Sequence, residues 1–338
     1  MRRWRPGVAP AQLSSCAPQA GRAMHTVKAK NTAKGAQMAT KDIAEKHLVE
    51  YNDIFCDLVN MAFYKGEPVI KPETLEDRQA RELIHNKKKI AEIERDVCKI
   101  YKKAQVELAI LGIENQTAPD KYMPIRVMEY NAAAYRSQLE ELEEKKRKEI
   151  IPVITLVVYF GTIPWKKYLS LHEIVNLPAE FKRQFNDYRI KVLPLAFLSE
   201  KQIASFKTAD MRELANYLRQ KRLHKDYEAS RETLGHFRGI VRVISALAGD
   251  KDIMKAYNTM LSEGKEPTNM CEMIQKLKDD SKEEGFKLGR AEGKAEGRAE
   301  GVLETLFALV KKGLLSLDDA AKQAGISKAK VQKLMPQV

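Results

Sequence analysis

VELAILGIENQTAP, residues Val106–Pro119, contains the most informative strand pattern in this chain. A largely apolar run stops abruptly at Glu114, and its length and composition are typical of a strand buried in a sheet. Side chains two positions apart in a strand share one face, so Gly112, Glu114 and Gln116 are expected to project together. The strand is therefore expected to end in a carboxylate and an amide at an open rim of the sheet.

Three other segments complete the predicted sheet. RDVCKIY (Arg95–Tyr101) is joined to the first strand by a short KKAQ turn, which indicates a hairpin. IIPVITLVVYFG (Ile150–Gly161) is a continuous apolar, β-branched run, typical of a central strand covered on both faces. RIKVLPLAFL (Arg189–Leu198) is a further strand candidate, interrupted by Pro194.

Helical periodicity surrounds these strands. Apolar residues at three- and four-residue spacing predict helices in three places, namely Thr40 to Lys65, Met123–Lys148 and Glu200–Lys278. Residues 71–89 are polar and predict a connection with at most one helical segment. This order of elements predicts an α/β fold, a mixed sheet flanked by helices and followed by a helical C-terminal region.

Charge and composition restrict the function classes. The chain has 59 Lys and Arg against 46 Asp and Glu, and its net charge is +13. Residues 1–40 contain no acidic residue and are predicted to be a basic disordered leader, unless the natural start is Met38. The mild basic excess elsewhere is compatible with nucleic acid without being diagnostic of it. No apolar run is long enough to span a membrane, and four scattered cysteines indicate neither a zinc site nor a disulfide framework.

Carboxylates at the sheet rim are candidate metal ligands. Asp96 opens the strand candidate that precedes the one ending in Glu114. Two carboxylates and a backbone carbonyl would form a hard-oxygen site for Mg²⁺ or Mn²⁺, which lowers the pKa of bound water and stabilises charge on a phosphate. Gln116 would orient that water or a phosphate oxygen. Alternatively, these polar residues mark strand ends that reach solvent.

Several motifs in order resemble one nuclease family. They are an Asp on one strand, Glu-Asn-Gln at the end of the next, Met-Pro-Ile-Arg opening a helix and a third strand ending in Tyr-Phe-Gly-Thr-Ile-Pro-Trp: Asp96, Glu114–Gln116, Met123–Arg126 and Tyr159–Trp165. Together they resemble the Rpn family of recombination-promoting nucleases, also called YhgA-like transposases. That family lies in the PD-(D/E)XK, or restriction-endonuclease-like, superfamily. The resemblance is close from Asp42 to Trp165 and looser beyond.

The resemblance implies roles for the rim residues. Asp96 and Glu114 would hold a divalent metal, with the Asn115 carbonyl as a third ligand. Gln116 takes the place of the lysine that is commoner in the superfamily, and would complete the catalytic set with Asp96 and Glu114.

Three further residues each admit two interpretations. Arg126 and Tyr130 are placed to reach a phosphate; equally, Arg126 neutralises Glu114 and Tyr130 belongs to the core. Asp57, on the first helix, would add another carboxylate, or else is a solvated helix residue. For the segment ending in Trp165, a structural turn is favoured over a contact with DNA.

A glycine recurs every fourth residue near the C-terminus, at Gly285, Gly289, Gly293, Gly297 and Gly301. On a helix the basic and acidic residues of this repeat would form rows about 200° apart, with glycine and alanine rows between them. Such a segment is a poor helix alone, because each interior glycine costs about 1 kcal/mol relative to alanine. We predict either a self-association element of a homo-oligomer or a flexible linker. After it, LSLDDAAKQAGISKAKVQKLM suits a helix-turn-helix, more simply interpreted as a helical hairpin that caps the repeat.

The rim residues and the resemblance together predict a Mg²⁺-dependent DNA endonuclease, located in a bacterial-type cytoplasm with DNA. The resemblance implies that its cleavage promotes recombination or transposition. The alternatives are a DNA-binding family member with weak catalysis and a self-associating structural protein. The predicted divisions are a leader, a PD-(D/E)XK nuclease-like domain, a helical extension, the repeat and a helical tail: 1–40, 41–250, 251–284, 285–301 and 302–338.

Overall fold

The computed structural model describes residues 41–79, 81–86, 89–104 and 106–334. The predicted leader, 1–40, lies outside the described residues. The chain divides into two compact units, one ending at Cys271 and one beginning at Glu272.

The strands are β1 Leu75–Asp77, β2 Arg81–Asn86, β3 Lys89–Glu94, β4 Val97–Lys103, β5 Val106–Gln116, β6 Val153–Tyr159 and β7 Lys191–Pro194. Five of them form the main sheet of the first unit, in the order β1-β4-β5-β6-β7. β4 is antiparallel to both β1 and β5, whereas β5, β6 and β7 run parallel to one another. A separate hairpin is formed by β2 and β3. The predicted mixed sheet is thereby confirmed.

Helices account for most of the remaining described residues. The predicted first helix is interrupted at Tyr51, whose extended backbone caps the second part, and it ends at Lys65 in the left-handed region (φ 57°). The helices are α1 41–49, α2 Asn52–Tyr64, α3 Met123–Glu143, α4 Glu200–Ala204, α5 Ala209–Arg222, α6 Phe237–Ala248, α7 Asp252–Ser262, α8 Met270–Lys311, α9 Leu317–Ala324 and α10 Lys328–Leu334.

Helices cover both faces of the main sheet. On one face Ala134 of α3 packs in a buried cluster with Cys98 of β4, Ile110 of β5 and Val153 of β6. On the other face α2 contacts β6 and β7. The apolar run of β6 is buried except at Ile154, as expected for an internal strand. These contacts confirm the prediction of a mixed sheet flanked by helices.

Two secondary-structure predictions were wrong. Residues 71–89, predicted as a polar connection with at most one helix, contain β1, β2 and the start of β3. These strands are short and rich in charged residues, so their periodicity did not distinguish them from a connection. The candidate strand Arg189–Leu198 is a strand only over Lys191–Pro194, and a 3₁₀ turn follows over Leu195–Phe197.

In the second unit, the glycine repeat lies within the long continuous helix α8. A short hairpin follows, in which α9 ends at Gly325 with φ 64° and α10 begins at Lys328. Ala320, Ala321 and Val331 are its buried side chains. No helix in the described part of the chain is both long and apolar enough to cross a membrane.

Candidate active site at the rim of the sheet

Strand pairing brings Asp96 and Glu114 to the same end of the β4–β5 hairpin. Val97 pairs with Ile113, so the residues that flank this pair, Asp96 and Glu114, lie at the same level on neighbouring strands. The carboxylate of Asp96 accepts a hydrogen bond of 2.7 Å from the backbone N–H of Asn115. Glu114 is buried, and its side chain lies on the face covered by α3.

Glu45 of α1 is a third buried carboxylate, and sequence reasoning missed it. It is 1% exposed, and neither carboxylate oxygen has a hydrogen-bond partner within the described part of the chain. Burial, followed by the negative charges of Asp42 and Asp96, raises the pKa of Glu45 to about 8. The available signal was that Glu45 lies three positions before the buried Leu48, on the apolar face of its helix.

The other two carboxyl groups also resist ionisation. Burial, and then the neighbouring charge of Asp96, raises the pKa of Glu114 to about 7, although Arg126 acts in the opposite direction. Burial likewise raises the pKa of Asp96 above its ordinary value, partly offset by the hydrogen bond from Asn115. Burial therefore disfavours the ionised form of all three carboxyl groups, and a cation in this poorly solvated region would stabilise that form.

Arg126 supplies one such cation from the first turn of α3. Its Nη2 contacts Oε1 of Glu114 and lies 3.1 Å from the hydroxyl of Tyr130. Its Nη1 donates to Oδ2 of Asp120 at 3.0 Å. The structure thus favours the interpretation in which Arg126 neutralises Glu114.

Tyr130 and Gln116 complete the surroundings of Glu114. The Tyr130 hydroxyl and the Gln116 side-chain amide each lie 3.3 Å from Oε1 of Glu114. Burial and the adjacent Glu114 raise the pKa of Tyr130 to about 12, so the hydroxyl remains a donor at neutral pH. Tyr130 is therefore buried, as expected of a core residue, but its polar end lies in the site.

Asp57 has a structural role, which corrects its assignment as an extra rim carboxylate. Its two oxygens accept hydrogen bonds from the backbone N–H groups of Lys207 and Thr208 at 3.0 and 2.7 Å, and from the Thr208 hydroxyl at 2.7 Å. Asp57 is also 4% exposed, so it is not a solvated helix residue. Its face of α2 packs against the start of α5, where these hydrogen bonds engage both of its carboxylate oxygens.

The segment after β6 packs against the sheet, as the structural interpretation predicted. The Tyr159 hydroxyl donates to the carbonyl of Ile163 at 2.8 Å, which closes the turn. Trp165 lies edge-on to Tyr159, with ring centroids 5.2 Å apart, and packs against Met123 and Val157.

The donor chemistry of the rim fits a hard divalent cation. Glu45, Asp96 and Glu114 offer carboxylate oxygens, and the Asn115 carbonyl points to the Asp96 side because N–H and C=O of a strand residue share one direction. The unpartnered oxygens of buried Glu45 are what such a cation would satisfy. Nevertheless, no three Asp, Glu, His or Cys side chains of the described residues converge as a ready metal site. Glu114 is turned toward Arg126 and Tyr130.

Comparison with known proteins identifies a family for this region. Residues 75–240 match the family described as "Putative transposase, YhgA-like". No curated protein and no solved structure matches the chain. The match includes Asp96, Glu114 and Arg126 but begins after Glu45 and Asp57. Residues 75–240 of this chain are therefore similar to the YhgA-like transposase family, as the sequence motifs indicated.

Proposed function

We propose that this protein is a divalent-metal-dependent endonuclease that hydrolyses phosphodiester bonds of DNA. The observation that carries the proposal is the meeting of Asp96 and Glu114 at one strand end, with Glu45 electrostatically close to Asp96. Structural ion pairs seldom leave buried carboxylate oxygens without a partner, whereas functional sites do.

In this proposal Glu45, Asp96, Glu114 and the Asn115 carbonyl would hold Mg²⁺ or Mn²⁺. The bound cation supplies a water of lowered pKa and stabilises charge on the phosphate. Gln116 donates its amide hydrogens without adding charge, so it orients an oxygen rather than neutralising it. Burial of Glu114 by α3 excludes bulk water from its side of the site.

DNA is the proposed partner and substrate. Similarity to the YhgA-like transposase family supports a nucleic-acid enzyme, and the positive net charge favours association with a polyanion. Promotion of recombination or transposition, and a cytoplasmic, DNA-associated location, belong to the same proposal.

Self-association through residues 285–301 is a second part of the proposal. A Cβ added at any of the five repeat glycines would meet no heavy atom within 4 Å, so this glycine row is open along α8. An open glycine row permits close approach of a second helix, and the separated acidic and basic rows provide complementary charges.

The first experiment is nicking of supercoiled plasmid by the full chain with Mg²⁺, with Mn²⁺ and with EDTA. We expect cation-dependent nicking that falls by on the order of a hundredfold or more in Asp96→Asn and Glu114→Gln, since several kcal/mol of transition-state stabilisation would be lost. Glu129→Gln, an exposed carboxylate on α3, is the matched control and should nick normally.

The outcomes separate the candidate functions. DNA binding without nicking by the wild type would favour the binding member with weak catalysis, consistent with Gln116 in place of a lysine. Neither nicking nor DNA binding would leave the structural, self-associating protein as the better account.

A further inference from the structure

Arg126 contacts Oε1 of Glu114, so at that oxygen it competes with any metal. Oε1 of Glu114 receives three donors, from Arg126, Tyr130 and Gln116. One carboxylate oxygen has two lone pairs, so three donors saturate it. A cation that takes this oxygen must therefore displace the guanidinium group first.

Arg126 has a second anchor that would keep it beside the site after such a displacement. Asp120 accepts from Nη1 of Arg126 at 3.0 Å through Oδ2. The other oxygen of Asp120 is fixed by the backbone N–H of Tyr122 at 2.9 Å. Arg126 is thus shared between a buried carboxylate and one held at the start of α3.

The two ends of the Arg126–Glu114 pair differ in their access to solvent. The side chain of Arg126 is 37% exposed and that of Glu114 is 5% exposed. An incoming phosphate therefore reaches the guanidinium before anything reaches the carboxylate. Guanidinium groups bind phosphate through two parallel hydrogen bonds, so a DNA phosphate is a strong competitor for Arg126.

We propose that Arg126 is a counter-ion that couples cation binding at Glu114 to the arrival of a DNA phosphate. Without DNA, Arg126 holds Glu114 and opposes the divalent cation. When a backbone phosphate draws the guanidinium away, Glu114 becomes available as a ligand. This inference rests on the proposed function, and it adds that the site assembles on substrate.

Thermodynamic linkage makes the coupling reciprocal, which allows two independent measurements. Removing Arg126 should favour the cation in the absence of DNA. Removing the charge of Glu114 should release Arg126 and favour DNA in the absence of the cation. Neither measurement uses cleavage as its readout.

The first measurement is Mg²⁺ binding by calorimetry without DNA, at about pH 9, where carboxyl groups are more fully ionised. We expect Arg126→Gln to bind Mg²⁺ about tenfold more tightly than the wild type, within the usual range of coupling between sites. Arg126→Lys, which keeps a cation but not the planar fork, should fall between them. Arg136→Gln on the exposed face of α3 makes the same charge change and should match the wild type.

The second measurement is binding of a DNA duplex in EDTA. We expect Glu114→Gln to bind about fivefold or more tightly than the wild type. Asp96→Asn removes the same charge from the rim, but Asp96 has no direct contact with Arg126. This variant should therefore gain less DNA affinity. The double variant Glu114→Gln/Arg126→Gln should lose this increase in DNA affinity.

Failure of this inference is distinguishable from failure of the proposed function. If Mg²⁺ binds equally to wild type and Arg126→Gln but not to Asp96→Asn, the metal site stands and the coupling is overturned. If Glu114→Gln gains no more DNA affinity than Asp96→Asn, the coupling is likewise overturned. Absence of Mg²⁺ binding in every variant overturns both proposals.

Discussion

The guanidinium group of Arg95 lies against Gly112, in space that a side chain at residue 112 would fill. A Cβ on Gly112 would be 2.6 Å from Nη1 of Arg95 and 3.1 Å from the Thr155 hydroxyl. Arg95 is buried and reaches across β5 to α3, where its Nη2 donates to the Tyr130 carbonyl at 2.6 Å. The glycine in the middle of a buried strand thus makes room for a residue that holds α3 beside the site.

We expect Gly112→Ala to lower the free energy of unfolding by about 2 kcal/mol, because overpacking forces tightly held neighbours to move. Urea unfolding measures the change. Arg95→Ala is the matched background: it also costs stability, but adding Gly112→Ala to it should cost much less. Equal costs of Gly112→Ala in both backgrounds would mean that contact with Arg95 is not the cause.

Glu45 should make the protein less stable as pH rises. Its folded-state pKa of about 8 lies above the ordinary value of 4.5. Between these values the folded state keeps a proton that the unfolded state has lost, so stability falls as pH increases from 4.5 to 8. We expect Glu45→Gln to reduce this fall by on the order of a few kcal/mol, leaving the contributions of Asp96 and Glu114.

Thermal unfolding of Glu45→Gln at a series of pH values tests this prediction, with Glu50→Gln as an exposed control near α1. Parallel curves for wild type and Glu45→Gln would contradict it. Added Mg²⁺ should stabilise the wild type more than Glu45→Gln at alkaline pH, since the cation would compensate the buried charge.

Asp57→Ala should destabilise the fold without altering the proposed metal site. Three hydrogen bonds from Lys207 and Thr208 would be lost, and two partly buried N–H groups would have no acceptor. We expect a loss of about 3 kcal/mol. Asp57→Asn keeps one acceptor oxygen and should lose less. A Mg²⁺ affinity that falls with Asp57→Ala while the protein remains folded would restore Asp57 as a rim ligand.

Substitutions in the glycine repeat separate helix stability from self-association. Gly289→Ala and Gly297→Ala should each stabilise α8 by about 1 kcal/mol, since nothing lies within 4 Å of either added Cβ. Hydrogen exchange of α8 amides in the full chain measures this effect. Sedimentation should show weaker self-association in the same variants, because the added methyl groups prevent close approach. Unchanged sedimentation would count against the glycine row as the interface.

The sequence predicted the centre of the sheet well, for a clear physical reason. β5 is a largely apolar run and β6 is a nearly continuous one, and their length and β-branched residues distinguish them from helices. The sequence did not predict β1, β2 and β3, because these strands are short and rich in charged residues. Their pairing, rather than their composition, makes them strands.

The candidate site was predictable only in part. Each of Asp96 and Glu114 was visible at a strand end, but a register slip of one residue would have placed them on opposite faces. Glu45 enters from a helix that precedes the sheet in sequence, so only tertiary packing shows its proximity. The role of Asp57 was not predicted, because helical periodicity does not show which element covers each face of α2.

The hydrogen bonds from the start of α5 to Asp57 also limit how far the protein can be truncated without losing its fold. The family match begins at residue 75 and ends at residue 240, inside α6. A fragment with those limits would lack Glu45, lose the acceptor for the amides of Lys207 and Thr208, and sever a helix. The segment that matches the family is thus shorter than the segment needed for folding. A fragment made for expression should therefore begin no later than residue 41.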